Sequence, residues 1–302
     1  MTARQPELTA MESVLFARYG VEPRARMLEL RAPPVTLGVR ETGSGEPALL
    51  MHGIMLGAVH WASLMTRLPS LRCVAIDMPG HGQSSGTGYS GVDLRRWHTT
   101  MLESCLDALG LNSAHLIGHS YGGMFGLWLA LDAPERVRSV ISIGTPSIAF
   151  GAQPDIMFKM LAWPGIGRLS LTMPSPLPVY RRILAHSLGR PAVAAAPAAL
   201  IRATYLGTRR PGLARTVSSY LREQFRGAPD YVLNDADLAG IRRPVLVIWG
   251  DRDDRYQPIA EGRRKTALIP GARFALVPGG HEPWLDDSEA CAKVITEFLA
   301  DQ

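Results

Sequence analysis

AHLIGHSYGG, residues 114–123, is the stretch of sequence that decides the fold. Its centre, residues 118–122, fits the pattern G-x-S-x-G, in which a serine occupies the tip of a sharp turn between a strand and a helix. An apolar run precedes the turn, and an uncharged run of helical length follows it. Gly118 and Gly122 are small enough for strand and helix to pass closely. The stretch therefore predicts that Ser120 is a nucleophile held at the end of a buried strand.

Short apolar runs alternate with longer amphipathic runs on both sides of this turn, which is typical of a mostly parallel sheet flanked by helices. The chain is thus predicted to be of the α/β class. The strand candidates are residues 27–31, 35–40, 48–52, 73–77, 114–118, 139–144, 245–249 and 274–277. The helix candidates between them are residues 60–68, 93–109, 121–131, 260–268 and 289–299.

The alternation breaks once, between about residues 148 and 238. Only helix-like pieces separated by Pro and Gly occur there, at residues 156–161, 179–188, 192–206 and 213–225. An all-helical insertion between two strands predicts a cap over the carboxyl edge of the sheet, where ligands bind in open α/β sheets. We therefore expect a core formed by residues 1–147 and 241–302 and a helical cap, or lid, formed by residues 148–240.

A serine hydroxyl needs a base to take its proton and an acid to orient that base. His281, in a Gly-Gly-His loop after the last strand candidate, is the predicted base. Three acids follow the preceding strand candidate, at Asp251, Asp253 and Asp254. We expect Asp253 to orient the base, with Asp254 as the alternative.

The negative charge that develops during acyl transfer needs backbone N–H donors. The amide of Tyr121, directly after the nucleophile, is one predicted donor. The loop after the third strand candidate reads His52-Gly53-Ile54-Met55, and it should supply a second donor from Ile54, with Met55 as the alternative. His52 precedes the bend and is interpreted as a structural loop residue.

The sequence resembles the α/β-hydrolase superfamily. The resemblance rests on segments that occur in the family's order and spacing from about residue 28 to residue 299, outside the insertion. These segments are HG at 52–53, DMPGHGQS at 77–84, GHSYGG at 118–123, GDRD at 250–253 and GH at 280–281. The resemblance implies an eight-stranded, mostly parallel sheet with a helical lid after the sixth strand. It also favours Asp253 as the acid, although the segment that follows is one residue longer than is usual in the family, so Asp254 stays open.

Composition excludes several classes of protein. The net charge is +5, and the arginines are spread along the chain without interleaved aromatics, which indicates a solvated surface rather than a nucleic-acid site. The three cysteines are too few for a disulfide framework or a zinc site, and no metal or cofactor motif occurs. The uncharged run at residues 108–131 contains polar residues and glycines, which argues against a membrane span. Residues 1–11 have no apolar signal region, so we expect a cytoplasmic protein.

These observations predict a serine hydrolase that cleaves a carboxylic ester of a small, largely apolar molecule through an acyl-enzyme. Two alternatives stay open: the same triad could serve a carbon–carbon bond hydrolase, a lactonase or an acyltransferase, and the fold could bind a ligand without turnover. The expected pocket residues are Met55, Met124, Phe150, Met157, Trp163 and Trp284. The sequence carries no signal for the oligomeric state.

Overall fold

A computed structural model describes residues 4–153, 155–173 and 175–302. Within these residues one sheet contains eight strands. The strands are β1 (Arg24–Arg31), β2 (Pro34–Thr42), β3 (Glu46–Met51), β4 (Leu71–Ile76), β5 (Ala114–His119), β6 (Val137–Ile143), β7 (Val245–Gly250) and β8 (Arg273–Val277). Each of the eight strand candidates from the sequence corresponds to one of these strands, to within three residues at its ends.

Helices cover the sheet and fill the long segment between β6 and β7. In the core they are α1 (Arg4–Arg18), α2 (Ala62–Met65), α3 (Leu94–Ala108), α4 (Tyr121–Asp132), α13 (Ile259–Ala267), α14 (Pro283–Asp286) and α15 (Ser288–Ala300). Between β6 and β7 they are α5 (Ile156–Ala162), α6 (Ile166–Thr172), α7 (Leu177–Leu188), α8 (Arg190–Ala195), α9 (Ala198–Gly207), α10 (Leu213–Arg226), α11 (Ala228–Tyr231) and α12 (Asp235–Gly240). Short 3-10 helices are formed by Ala58–Trp61, Pro134–Arg136 and Ser147–Phe150.

The strand order is β1-β2-β4-β3-β5-β6-β7-β8, and β2 is antiparallel to both of its neighbours. All other neighbouring pairs are parallel. The chain moves from β3 to β4 on one side and then crosses to β5 on the other side. This reversal opens a crevice at the carboxyl ends of β3 and β5, which is where open α/β sheets bind ligands.

Both faces of the sheet are covered, because successive side chains of a strand point to opposite faces. In β5, Leu116 packs in one apolar cluster and Ile117 in the other. The same alternation holds for Val247 and Ile248 in β7. Strands covered on both sides are expected to be continuously apolar. This explains why β3, β5 and β7 could be recognised in the sequence.

Several parts of the helical structure differ from the sequence expectation. The predicted helix at residues 60–68 is a 3-10 helix followed by the short α2, and α6, α11, α12 and α14 have no counterpart among the helix candidates. The predicted helix at residues 192–206 is two helices, α8 and α9, because Pro197 has no N–H to continue the hydrogen-bond ladder. Helix α1 was not predicted at all. It buries Leu8, Leu15 and Phe16, and its Glu12 forms an ion pair with Arg40 of β2.

A histidine lies inside the apolar core, on α3. His98 stacks on Phe125 with ring centroids 4.1 Å apart, and its Nδ1 donates a hydrogen bond of 2.7 Å to the carbonyl of Leu94. Its Nε2 lies 3.3 Å from the hydroxyl of Tyr89. Burial lowers the pKa of His98 to about 3, since the interior disfavours the imidazolium.

We expect acid to destabilise the fold through this side chain. In the unfolded chain His98 takes up a proton below about pH 6.5, whereas in the folded chain it does so only near pH 3. Between pH 7 and pH 5 the unfolded state therefore binds more protons, and His98 alone should lower the free energy of unfolding by about 2 kcal/mol. Urea unfolding at the two pH values measures this difference.

The matched variant is His98→Phe, which keeps the stacking on Phe125 and cannot titrate. Its loss of stability between pH 7 and pH 5 should be smaller than that of the wild type by about the same 2 kcal/mol. Buried His52, His81 and His119, whose pKa values burial also lowers, titrate in both proteins and cancel. An equal loss in both proteins would contradict the expectation.

Candidate active site

Ser120 lies in a strained turn between β5 and α4. Its φ is +51° and its ψ −109°, a left-handed conformation that residues other than glycine rarely adopt. The amide of Ser120 donates to the carbonyl of Ile143 at the end of β6, at 3.1 Å, and its carbonyl accepts from the amide of Met124 at 3.0 Å. These bonds fix the turn from both sides, so the hydroxyl is presented above the carboxyl edge of the sheet.

The glycines around Ser120 are required by close backbone contacts. A Cβ atom on Gly118 would lie 2.2 Å from the carbonyl carbon of Gly122. A Cβ on Gly122 would lie 2.1 Å from the carbonyl oxygen of Met51 in β3. A Cβ on Gly123 would lie 2.3 Å from Oγ of Ser142 in β6. Helix α4 can therefore approach β3, β5 and β6 only because these positions have no side chain.

His281 and Asp253 meet next to this turn. Nδ1 of His281 lies 2.9 Å from Oδ2 of Asp253, and both side chains are buried. The indole of Trp249 donates to the carbonyl of Asp253 at 2.6 Å and holds the loop after β7. Asp254 is exposed and points away from this pair, so the structure brings Asp253, and not Asp254, to His281. With Nδ1 engaged, Nε2 is the free nitrogen of His281.

A second buried carboxylate follows His281 directly. Oε2 of Glu282 lies 2.9 Å from Nδ1 of His60, and Nε2 of His60 lies 2.8 Å from the hydroxyl of Thr204 on α9. His119, next to Ser120, donates from Nε2 to the carbonyl of His281 at 3.0 Å. Burial lowers the pKa of His119 well below its usual value, so this ring is neutral. The loop that carries His281 is therefore held, on the side facing away from Asp253, by a polar network of His60, His119, Thr204 and Glu282.

The same network is tied to α9 through Thr204. The hydroxyl of Thr204 donates to the carbonyl of Leu200, at 2.7 Å, so it accepts a hydrogen bond from Nε2 of His60. His60 therefore connects α9 to the buried carboxylate of Glu282.

The loop after β3 forms the other wall of the site. The amide of Met55 donates to Nε2 of His81 at 3.0 Å, so it is not free to bind an oxyanion. Ile54 and Tyr121, the other two predicted donors, line the same cavity as Ser120. His52 lies behind the loop, where its Nε2 accepts from the amide of Met78 at 2.9 Å.

One open cavity of about 820 Å³, counting the space at its mouth, contains Ser120 and His281. Residues of the loop after β3, of the segment after β6 and of α5, α7 and α10 form the rest of its wall. No Lys, Arg, Asp or Glu is found among the described residues that line it. A smaller apolar cavity of about 350 Å³ adjoins it and shares Gly53, Ile54 and Tyr121 with it. The site thus offers apolar space on both sides of the predicted oxyanion donors.

The predicted pocket residues divide into two groups. Met55 and Met157 line the cavity. The other four do not, and here the expectation is corrected. Met124, Phe150 and Trp284 are buried in the core, where Trp284 stacks on Trp61, and Trp163 is exposed on the protein surface. An apolar residue near a site in sequence can equally pack away from it, which only tertiary structure decides.

Gln224 on α10 and Thr145 after β6 were not predicted and also line the cavity. Gln224 is almost fully buried beside the hydroxyl of Tyr121, and neither its amide nitrogen nor its amide oxygen has a well-aligned hydrogen-bond partner among the described residues. The hydroxyl of Thr145 is likewise unpartnered within the described part of the chain. Buried polar groups without partners are rare, and they require an explanation such as a ligand or an ordered water. No sequence motif marks either residue.

Among residues 4–153, 155–173 and 175–302, no group of three or more His, Cys, Asp or Glu side chains is arranged to hold a metal ion. None of the helices formed by these residues is both long enough and apolar enough to cross a bilayer.

The sequence is similar to known proteins over most of its length. The family described as "alpha/beta hydrolase fold" matches residues 47–168. A 2-hydroxy-6-oxononadienedioate/2-hydroxy-6-oxononatrienedioate hydrolase of Burkholderia vietnamiensis is 30% identical, covering 86% of this chain and 89% of its own. A 2-hydroxy-6-oxo-2,4-heptadienoate hydrolase of Pseudomonas putida is 26% identical, covering 88% and 93%. The crystal structure of carboxylesterase CesB from Bacillus subtilis, 20% identical, superposes over 100% of both chains with a TM-score of 0.75, which shows a shared fold.

The contact between Gly122 and β3 yields a prediction about stability. Gly122→Ala places a methyl group against the carbonyl of Met51. The backbone of β3 can shift only at a large energetic cost, so the variant should lose at least about 2 kcal/mol of unfolding free energy. Gly126→Ala on the same helix is the matched control. Its nearest neighbour is a methyl group of Val140 at 3.3 Å, and helix propensity favours Ala, so it should stay near the wild type. Urea unfolding measures both, and equal losses would contradict the packing argument.

Proposed function

Since the chain belongs to the α/β-hydrolase superfamily, we propose that it is a serine hydrolase that works through an acyl-enzyme on Ser120. The observation that carries the proposal is the contact of 2.9 Å between His281 and buried Asp253, next to a serine in a strained turn that faces the same cavity. A base held by an acid is what activates a serine hydroxyl. Ile54 and Tyr121 supply the amide donors for the oxyanion.

In this mechanism, Oγ of Ser120 attacks a carbonyl carbon while Nε2 of His281 takes the hydroxyl proton. Asp253 keeps Nδ1 protonated and stabilises the imidazolium that forms. The bond to the leaving group then breaks, its electron pair stays with the leaving atom, and His281 returns the proton to that atom. Water, deprotonated by His281, releases the acid from Ser120 in the same way.

The bond that we propose is broken is a carbon–carbon bond. The names of the two relatives describe oxo acids without an ester group, so their hydrolysis must separate two carbon atoms. Such a bond breaks when the leaving carbon can spread its electron pair over a neighbouring unsaturated ketone. The substrate class proposed for this chain is accordingly a vinylogous diketone.

The cavity wall supports an uncharged substrate. The two relatives are named for substrates with carboxylate groups. Burying a carboxylate without a cation is unfavourable by several kcal/mol, and no Lys or Arg lines this cavity among the described residues. This observation also favours the second candidate function, hydrolysis of a neutral ester or lactone by the same residues.

We propose that residues 148–240 act as a lid over the site. Side chains of α5, α7 and α10 complete the wall of the cavity whose floor is formed by Ser120 and His281. In this proposal, Gln224 of α10 hydrogen-bonds a carbonyl or hydroxyl oxygen of the substrate. Its amide would thereby gain the partners that it lacks.

The function can be tested with a fluorophosphonate and three substrates. The substrates are 2-hydroxy-6-oxohepta-2,4-dienoate, its uncharged carboxamide and a medium-chain p-nitrophenyl ester. We expect the probe to label the wild type and not Ser120→Ala. The carboxamide should be cleaved with a kcat/KM at least about tenfold above that of the dienoate, because binding the carboxylate would leave a charge unpaired. Faster turnover of the ester than of either diketone would establish the second candidate, and absence of labelling would refute both.

The acid can be tested with a matched pair of variants in the same assays. Asp253→Asn should lower kcat by roughly 10³- to 10⁴-fold, because it leaves His281 in the wrong tautomer. Asp254→Asn, with the same change of charge on the neighbouring exposed residue, should behave as the wild type. The reverse result would transfer the role to Asp254.

Gln224 yields a prediction about recognition. Gln224→Met keeps the volume and removes both polar groups. We expect kcat/KM for the diketone to fall roughly three- to tenfold, the worth of one hydrogen bond, with most of the change in KM. Fluorophosphonate labelling should keep its rate, since that probe needs only the triad. A loss of labelling would show that Gln224 supports the fold of the site rather than the substrate.

A further inference from the structure

Large apolar side chains are exposed mainly on three helices between β6 and β7. Helix α5 presents Ile156 and Met160 at positions i and i+4, and Trp163, directly after the end of the helix, is exposed as well. Ile156 is 70% exposed and Trp163 is 63% exposed. The opposite side of α5 buries Leu161 and Ala162, so the helix is anchored while its apolar outer face meets water.

The next helix repeats the arrangement. Helix α6 exposes Ile166 and Leu169, and Met173, directly after the end of the helix, is exposed as well. Helices α5 and α6 pack on each other and on α10. Helix α7 adds exposed Val179 and Ile183. We refer to these eight side chains on α5, α6 and α7 as the apolar face.

The apolar face lies at the mouth of the cavity. Met157 and Phe158 of α5 and Tyr180 and Leu184 of α7 line the cavity, so the two helices flank it. Ile183 belongs both to the cavity wall and to the apolar face. A molecule held against the apolar face could therefore enter the cavity without crossing open water.

The charge around the apolar face is of one sign. Residues 156–222 contain ten Lys or Arg and no Asp or Glu, whereas the rest of the chain contains 22 Lys or Arg and 27 acids. The net charge of +5 is thus +10 in this segment and −5 elsewhere. The arginines are scattered along the whole chain, and it is the absence of acids that makes this segment basic.

Several of these cations are exposed beside the apolar face. They include Lys159 on α5, Arg168 on α6 and Arg181 and Arg182 on α7. None of the four has an acidic partner within 4.0 Å among the described residues, in contrast to Arg202, which is paired with Glu7. Arg181, Arg182 and Arg190 together line a cleft between α7 and α8.

We propose that the apolar face and its surrounding cations dock this protein onto an anionic lipid membrane. Apolar side chains enter the boundary between headgroups and acyl chains, and Lys and Arg bind lipid phosphates, which is how amphipathic helices lie in a membrane interface. A second copy of the chain fits poorly, because two such faces would bring cations together without acids. Nucleic acid fits poorly as well, since its binding sites stack bases on aromatics and seven of these eight side chains are aliphatic.

Binding is tested by flotation of the full chain with vesicles of phosphatidylcholine alone and with added phosphatidylglycerol. We expect at least about tenfold stronger partition to the anionic vesicles, weakened by salt. Emission of Trp163 should shift to the blue on binding and the shift should be lost in Trp163→Phe, because Trp61, Trp128, Trp249 and Trp284 are fully buried and Trp97 on α3 is packed against the core. Ser120→Ala should bind like the wild type, so the result does not depend on the proposed chemistry.

Two pairs of variants separate the apolar and cationic contributions. Trp163→Ser with Leu169→Ser should weaken binding about tenfold or more, whereas Val14→Ser, on an equally exposed apolar residue of α1, should not. Arg181→Glu with Arg182→Glu should abolish the preference for anionic vesicles. Arg24→Glu with Arg96→Glu, the same charge change on exposed residues outside the segment, should retain it.

Three outcomes would overturn the proposal. One is absence of vesicle binding at low salt. Another is an equal loss of binding in the variants within residues 156–222 and in their controls, which would show that binding depends only on the net charge of the protein. The third is a dimer in solution that the Trp163→Ser, Leu169→Ser variant dissociates, which would assign the apolar face to a second copy.

Discussion

The close approach of helix α4 to the sheet is the constraint on which the rest of the structure depends. A Cβ atom at position 118 or 122 would overlap backbone atoms of α4 or β3, and one at position 123 would overlap the side chain of Ser142 in β6. The approach forces Ser120 into a left-handed conformation and points its side chain out of the turn. Because β5 lies beside the reversal in strand order, the serine is placed where loops from β3, β7 and β8 converge. The other residues of the site reach Ser120 on the loops that follow β3, β7 and β8, so the lengths of these loops determine their positions.

The loop after β8 illustrates how few residues complete such a site. His281 contacts Asp253 on one side, while its backbone carbonyl accepts from His119 on the other. Glu282, the next residue, reaches in the opposite direction to His60, which in turn contacts Thr204 of α9. Two consecutive side chains thus connect the site to β7, to the loop after β3 and to the inserted helices. The position of His281 is set by all three regions together.

The sequence allowed the strands and the meeting of Ser120, His281 and Asp253 to be predicted, because each depends on a local pattern. Buried strands are continuously apolar, and the turn around Ser120 has a strict spacing of glycines. No local sequence pattern marks the residues that line the cavity. Met124 and Met157 are the same residue type on amphipathic or apolar helices, yet one is in the core and the other faces the cavity. Gln224 could not be found either, since a buried amide without a partner is defined by atoms far away in sequence.

The contact between α1 and α9 has a mechanical consequence. Helix α9 is clamped from outside by α1, through Arg202 and Glu7, and from inside by the hydrogen bond between Thr204 and His60. Helices α5 and α6 rest mainly on each other and on α10. Helix α9 is therefore held on two sides, whereas α5, which lines the cavity, is supported mainly by other inserted helices. If residues 148–240 act as the lid that we propose, we expect a bulky substrate to enter by displacing α5 and α6 while α9 stays in place.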